Sequence, residues 1–303
     1  MNKRIRLALE CVSVRFVIAC ASLVPQGVLR PIGAALGWMA FSIFRIRRSV
    51  SLENIRMTLG GEESEIRSIA RNAYMNLGRS FIEFAAFHGL SREKLIRKVC
   101  MSGANNFDRA LEAGRGAVLF TGHFGNWELL AAWVAQSGYP FYVLVGEQTN
   151  KKVDEFINGL RRSQNVKVLP QNVGLRKALR VLSGNGFVAI LADQDARRGG
   201  VFVDFLGMPA STFRGPARLA IQRKCPIVSG FIVRRPGGKH DATILEPLWP
   251  NEDLEEERAL RDLTQRYTSQ LETYVRKYPD HYFWAHRRWK TKPKTNPTDS
   301  NPT

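Results

Sequence analysis

The order of segments in this chain predicts an α/β fold, a mostly parallel or mixed central sheet flanked by helices. Short runs rich in Val, Ile, Leu and Phe recur at 117–120, 141–145, 187–192, 226–233 and 242–248. They have the length of strands, and most are too apolar to leave one face in water. Segments of helical period fall between most of them, near 126–137, 151–163, 174–183 and 214–223, and such crossovers are what parallel strands require. With 44% hydrophobic and 10% aromatic residues in 303, the chain can bury a sizeable core, which excludes a disordered protein.

The elements follow in order. Lys3, Arg4 and Arg6 precede an apolar stretch that ends in Ala-Cys-Ala-Ser at 19–22, the outline of a secretory signal. Glu10 and Arg15 interrupt that stretch, so no cleavage is expected. The next apolar run, Pro31 to Phe44, has 14 residues, where a bilayer span needs about 20. Arg30 bounds it on one side and Arg45, Arg47 and Arg48 on the other, which suits a surface-lying or re-entrant helix. A helix packed on the protein's own core, or a tilted span that includes residues 11–29, stays open. Residues 1–50 are therefore expected to form a membrane-associated helical segment and 51–290 the domain that carries the chemistry. The Pro-, Thr- and Asn-rich stretch 291–303 is expected to be a disordered tail.

Between 64 and 87 a helix is predicted, with Ile69, Tyr74, Leu77, Phe81 and Phe84 toward the core. A late helix carries a second stripe, Leu260, Leu263, Tyr267, Leu271 and Tyr274.

The formal charge of +18 implies an acidic partner. It concentrates at the ends: residues 1–50 hold eight basic residues and one acid, residues 276–294 seven and one. Each end also carries large apolar groups, Trp38, Phe41 and Phe44 in the first and Tyr282, Phe283, Trp284 and Trp289 in the second. Cations mixed with aromatics suit an anionic membrane surface; single-stranded nucleic acid is the alternative, but no nucleic-acid motif is present. Cys11, Cys20, Cys100 and Cys225 are widely spaced and form no C-x-x-C pair, which fits a reduced protein without a disulfide or zinc framework.

The segment Gly116–Ala135, GAVLFTGHFGNWELLAAWVA, runs a buried strand into a turn and then a helix. Asn126 is a good cap for a helix that starts at Trp127, and His123 falls in the turn. Chemistry in open α/β sheets collects at the carboxyl ends of strands. Five residues apart on one straight helix, His123 and Glu128 would diverge by about 140°, but a histidine in the turn can fold back over the first helical turn. Glu128 is stabilised there by the helix dipole and can accept the proton of one imidazole nitrogen, leaving the other as a general base. A capped helix beside a solvated histidine is the alternative. His88 and Glu93 share the spacing, but no strand precedes them.

A second constellation spans residues 189–220. Asp193 again follows a β run; Gly199 and Gly200 permit close backbone approach, and Arg197, Arg198 and Arg214 offer cations to an acidic substrate. There is no G-x-S-x-G elbow, so no serine acyl-enzyme is indicated, and no compact metal-ligand spacing, so no metal is expected.

Three motifs, TGHFGNWELL, LADQDARRGGVFVDFLGMPASTFRGPARLA and YPDHYFWAHRRWK, together resemble the lipid A late acyltransferases of the lysophospholipid acyltransferase class, with weaker similarity over residues 10–290. The resemblance implies a glycerol-phosphate-acyltransferase-like fold. It also implies transfer of an acyl chain from a carrier thioester, on acyl carrier protein or coenzyme A, to a hydroxyl of a phosphorylated glycolipid at the cytoplasmic face of the inner membrane. No further cofactor is implied, and no nucleic-acid partner. On that model His123 deprotonates the acceptor hydroxyl while Glu128 holds it. Arg161, or its neighbour Arg162, or the helix start at Asn126 stabilises the oxyanion, and Asp193 supports the site with Gln194 beside it. Asn165 departs from the family's usual glycine after the arginine, a position where a left-handed turn tolerates Asn. A nucleic-acid-binding protein and a noncatalytic lipid-binding relative remain as contrasting classes.

Overall fold

The structure, a computed structural model, describes residues 26–293 together with Val12, Ile18, Ala19 and Val24. Most of the signal-like stretch, Cys11, Cys20 and most of the expected tail lie outside the described residues.

Helix α1 (Gln26–Ser42) lies along α3 (Glu63–Ala85), with α2 (Arg48–Thr58) between them in sequence. The long helices approach closely because glycines face each other. A Cβ on Gly37 would stand 2.0 Å from the Tyr74 carbonyl oxygen, and one on Gly78 would stand 2.1 Å from that of Gly33. Residues 26–42 are thus fastened to the rest of the chain, while Val28, Ile32, Leu36 and Trp38 remain exposed on the outer side of α1. No helix among the described residues is long and apolar enough to cross a membrane.

After α4 (Arg92–Lys98), β1 (Val99–Ser102) and α5 (Asn105–Leu111) comes β2 (Ala117–Thr121). Then follow α6 (Trp127–Gln136), β3 (Phe141–Val145), α7 (Lys151–Ser163), β4 (Lys167–Pro170), α8 (Gln171–Ser183) and β5 (Phe187–Leu191). The hairpin β6 (Val201–Phe205) and β7 (Met208–Thr212), α9 (Gly215–Arg223), β8 (Ile227–Arg234), β9 (His240–Ile244) and α10 (Glu256–Lys277) follow, and the carboxyl-terminal segment runs on from α10.

Seven strands form one sheet in the order β1-β9-β8-β2-β5-β3-β4, and only β8 with β9 is antiparallel. The predicted mostly parallel α/β sheet is the fold. Along β2, Val118 and Phe120 enter the core layer shared with Tyr267 and Leu271 of α10, while Ala117 and Leu119 enter the opposite layer with Leu129 and Leu130 of α6. That two-residue alternation, buried on both faces, is why the strand reads as a continuous apolar run.

Three expectations are corrected. Phe81, expected in the core, is 56% exposed on α3, beside Trp127. The carboxyl-terminal aromatics do not form a basic membrane face: Tyr282, Trp284 and Trp289 are buried in the main core, and so is Phe41 near the other end. The run at 242–248 forms a strand only to Ile244. The short strands β1 and β4 and the β6–β7 hairpin lack a long apolar run and were not expected.

Candidate active site

β2 and β5 are parallel neighbours with Thr121 beside Leu191. Two residues past each strand end the chain reaches His123 and Asp193, so the register brings two distant residues together. His123 Nδ1 lies 2.8 Å from Asp193 Oδ1, and the His123 backbone N–H donates to Asp193 Oδ2 at 2.9 Å. The carboxylate is buried (4% exposed), and the Tyr282 hydroxyl donates to the Asp193 carbonyl. Nδ1 bonded to a carboxylate leaves Nε2 as the proton acceptor.

The turn is held from behind by the carboxyl-terminal segment. The Gly125 N–H donates to the His281 carbonyl, Phe124 bridges to Tyr282, and the Phe283 N–H donates to the His123 carbonyl. Gly125 has φ +61°, and a Cβ there would stand 1.7 Å from the Ile232 carbonyl oxygen, so only glycine fits. Arg288, 1% exposed, donates to the carbonyls of Gln194 and Ser211 and to Thr212 Oγ1, which fixes the loop after β5. The motif YPDHYFWAHRRWK therefore scaffolds both functional turns. Sequence reading singled it out for charge and resemblance and did not find this role, because hydrogen bonds between segments more than 70 residues apart leave no local pattern.

Glu128 does not hold His123. Its carboxylate takes two hydrogen bonds from Arg161, Nη2 to Oε1 at 2.6 Å and Nε to Oε2 at 3.1 Å, and Asp193 occupies the place expected for it. The Glu128 side chain reaches across to Arg161 on α7, whereas the loop after β5 already lies beside the histidine. Arg161 Nη1 also donates to Asn158, and both members of the ion pair are largely buried. Arg162 pairs instead with Glu155 on the exposed side of α7. Asn165 has φ +61°, the left-handed turn anticipated for it.

Asn126 is buried and committed on both sides. Its oxygen caps α6 by accepting from the Leu129 N–H, and its nitrogen donates to Glu83 Oε2 at 2.8 Å, so the side chain is not available to a substrate. Glu83 is in turn bound by Arg234. Arg197 and Arg198 lie exposed in a turn away from the cavity, and Arg214 is paired with Glu257 beside it.

Burial pulls the His123 imidazole pKa down, but the Asp193 carboxylate, its hydrogen bond and the more distant Glu128 outweigh it and hold the pKa above the ordinary value. For Asp193, burial opposes ionisation, yet His123, the backbone N–H and the Arg288 charge keep its pKa below the usual carboxylate range. Burial likewise acts against the Arg161 charge, and Glu128 more than restores it.

A cavity of about 590 Å³ opens beside this group, lined by His123, Trp127, Glu128, Arg161 and Gln194 at its polar part. Leu130, Val134, Phe141, Val143, Ala189 and Leu219 line the apolar remainder. An imidazole base, an ion pair with guanidinium N–H groups to spare and a largely apolar cavity suit the activation of an alcohol next to a hydrocarbon chain.

The class that fold and site define is an α/β protein with a histidine–carboxylate base at a strand end and an apolar cavity. The chain belongs to the bacterial lipid A biosynthesis acyltransferase family, which it matches over residues 6–291. It is similar to the phosphatidylinositol mannoside acyltransferase of Mycobacterium tuberculosis (strain ATCC 25618 / H37Rv), 33% identical over 151 residues, a match that spans about half the length of that relative (48%) and 48% of this chain. It is also similar to the lipid A biosynthesis palmitoleoyltransferase of Escherichia coli (strain K12), 23% identical over 89% of this chain and 87% of the other. Among solved structures, the 1-acyl-sn-glycerophosphate (LPA) acyltransferase PlsC from Thermotoga maritima aligns with a TM-score of 0.38 at 12% identity, over 86% of this chain and all of that one.

Proposed function

We propose that this acyltransferase moves a fatty acyl chain from a carrier thioester, on acyl carrier protein or coenzyme A, to a hydroxyl of a phosphorylated glycolipid of the lipid A precursor type. The observation that carries the reading is His123, tied at Nδ1 to buried Asp193, at the mouth of the apolar cavity. His123 Nε2 takes the hydroxyl proton as the oxygen attacks the thioester carbonyl; the C–O ester bond forms, the C–S bond breaks, and the proton passes to the departing thiolate. Negative charge on the carbonyl oxygen is met by the free N–H groups at the start of α6 and by the Arg161 guanidinium, which Glu128 holds in place. Asp193 thus takes the orienting part first expected of Glu128, and Glu128 orients Arg161.

The exposed apolar side of α1, with the basic charge of the chain, fits work at an anionic membrane surface, in bacteria the cytoplasmic face of the inner membrane. An acidic carrier protein fits the same charge. The likeness to phosphatidylinositol mannoside acyltransferases favours a second acceptor, a mannosylated lipid.

The test is mass spectrometry of each candidate glycolipid after incubation with acyl carrier protein thioester and purified enzyme. A gain of one acyl group is expected with the wild type, loss of it in His123→Ala, and retention in His88→Ala, whose side chain is exposed and does not line the cavity. Undiminished transfer by His123→Ala sinks the assignment.

A further inference from the structure

A second depression, of about 580 Å³, lies outside the proposed active site, between the start of α1, α3 and the β8–β9 turn. Arg30, Arg79, Arg234 and Arg235 line it, and Asp280 is the one acid among its described lining residues. The charges do not cancel. Arg234 is neutralised by Glu83 and Arg235 by Asp241, at 3.2 Å, while Asp280 is taken by His281 at 2.8 Å and by Asn76. Arg79, partly buried, donates to the Asn76 side-chain oxygen at 2.9 Å, and neither it nor Arg30 has an ion pair among the described residues. Arg30 is laid against the turn: its guanidinium occupies the space a Cβ on Gly238 would fill.

Two cations are therefore held together, partly out of water, and among the described residues no carboxylate pairs directly with either; Glu83 and Asp280 act on Arg79 only from a distance, each already bound elsewhere. Such an arrangement is unfavourable until an anion arrives, and guanidinium pairs match phosphate oxygens bidentately. Burial, and the repulsion of Arg234 and Arg30 against the pull of Glu83 and Asp280, bring the Arg79 pKa down. Lys98 nearby is lowered by burial and by the same two arginines.

The source of the phosphate follows from what adjoins the depression. Gly27 and Pro31 line it, and Val28, Ile32 and Leu36 stand exposed one residue further round the same helix. With that apolar stripe in the membrane interface, the arginines stand at headgroup depth. We infer that Arg30 and Arg79 form a binding site for the phosphoryl group of a membrane lipid, separate from the acyl cavity. The inference rests on the reading that the chain works at a membrane surface.

The experiment compares binding of the full chain to vesicles of phosphatidylcholine alone and of phosphatidylcholine mixed with phosphatidic acid, at fixed ionic strength. Arg30 and Arg79 are the residues to change because, unlike Arg234, they do not touch the Glu83–Asn126 pair behind the catalytic turn. The wild type binds the mixed vesicles more tightly. Arg30→Ala with Arg79→Ala reduces that preference on the order of thirtyfold. Arg30→Lys with Arg79→Lys keeps most of it, and Arg261→Ala, on the exposed side of α10, leaves it unchanged. Should the double alanine variant melt early, Arg79→Gln alone carries the test with a loss of about fivefold. A second arm measures the thermal midpoint with inorganic phosphate. Stabilisation of the wild type alone, with vesicle binding equal in wild type and variant, assigns the site to free phosphate and overturns the lipid source. Equal behaviour of wild type and variants in both arms overturns the site. Acyl transfer is assayed separately: a wild type that binds phosphatidic acid without transferring acyl groups refutes the proposed reaction and leaves this site standing.

Discussion

At the scale of single residues, His123 and Asp193 behave as one titrating unit. The neutral imidazole is the base, and its pKa is held above the ordinary value, chiefly by Asp193 against the effect of burial. Activity is therefore expected to rise with pH along an acid limb whose apparent pKa lies above that of an ordinary histidine, about 6.5. The contribution of the pair to folding has the opposite sign. A raised folded-state pKa stabilises fully below the unfolded value and is lost as pH rises through the folded one, so the enzyme gains activity over the window in which this increment fades. Asp193→Asn removes the main force raising the pKa and the acceptor that fixes the tautomer. It should move the acid limb to lower pH and cut kcat by roughly a hundredfold to ten-thousandfold. A pH–rate profile of kcat/KM for both proteins checks this, and an unmoved limb would show that Asp193 does not govern His123.

At the scale of elements, the parallel register of β2 and β5 assembles the pair, and the C-terminal segment supports the turn from behind. The sequence made the turn legible because strand, glycine, cap and helix are all local signals: Asn126 caps α6 as anticipated, and Gly125 is required by its φ and by the nearness of β8. The identity of the orienting carboxylate was not legible. Spacing favoured Glu128, five residues away, but the side chain that reaches Nδ1 comes from the turn after β5, 70 residues on. The α1–α3 crossing makes a separate prediction. A methyl group at Gly78 has no room against the Gly33 backbone, so Gly78→Ala should cost about 1–3 kcal/mol, read as a lower urea midpoint with unchanged slope. A variant as stable as the wild type would mean that the helices can part freely.

At the scale of the whole molecule, the apolar side of α1 and the acyl cavity divide the proposed work between holding the membrane and holding the chain. Ile32→Glu with Leu36→Glu, both on the exposed side of α1, should weaken binding to neutral vesicles by at least tenfold, because each change removes apolar contact and adds a charge to the interface. Transfer to a short-chain, water-soluble acceptor should be unaffected, and vesicle flotation beside that assay separates docking from catalysis. Ala131→Phe adds bulk to the cavity wall on α6. It should shift selection among acyl thioesters toward shorter chains without moving the pH profile, as competition between thioesters of different length would show.

What the sequence by itself determined was the α/β layering, the capped turn that carries His123 and the family, because periodicity, caps and motifs are written within short stretches of chain. Tertiary structure alone decided which carboxylate serves the histidine, that Arg161 and not Arg162 faces the cavity, and that Tyr282, Trp284 and Trp289 are buried rather than spread on a membrane. Each of these depends on strand register or on packing between segments far apart in the chain, and such contacts impose no periodicity on the residues that make them.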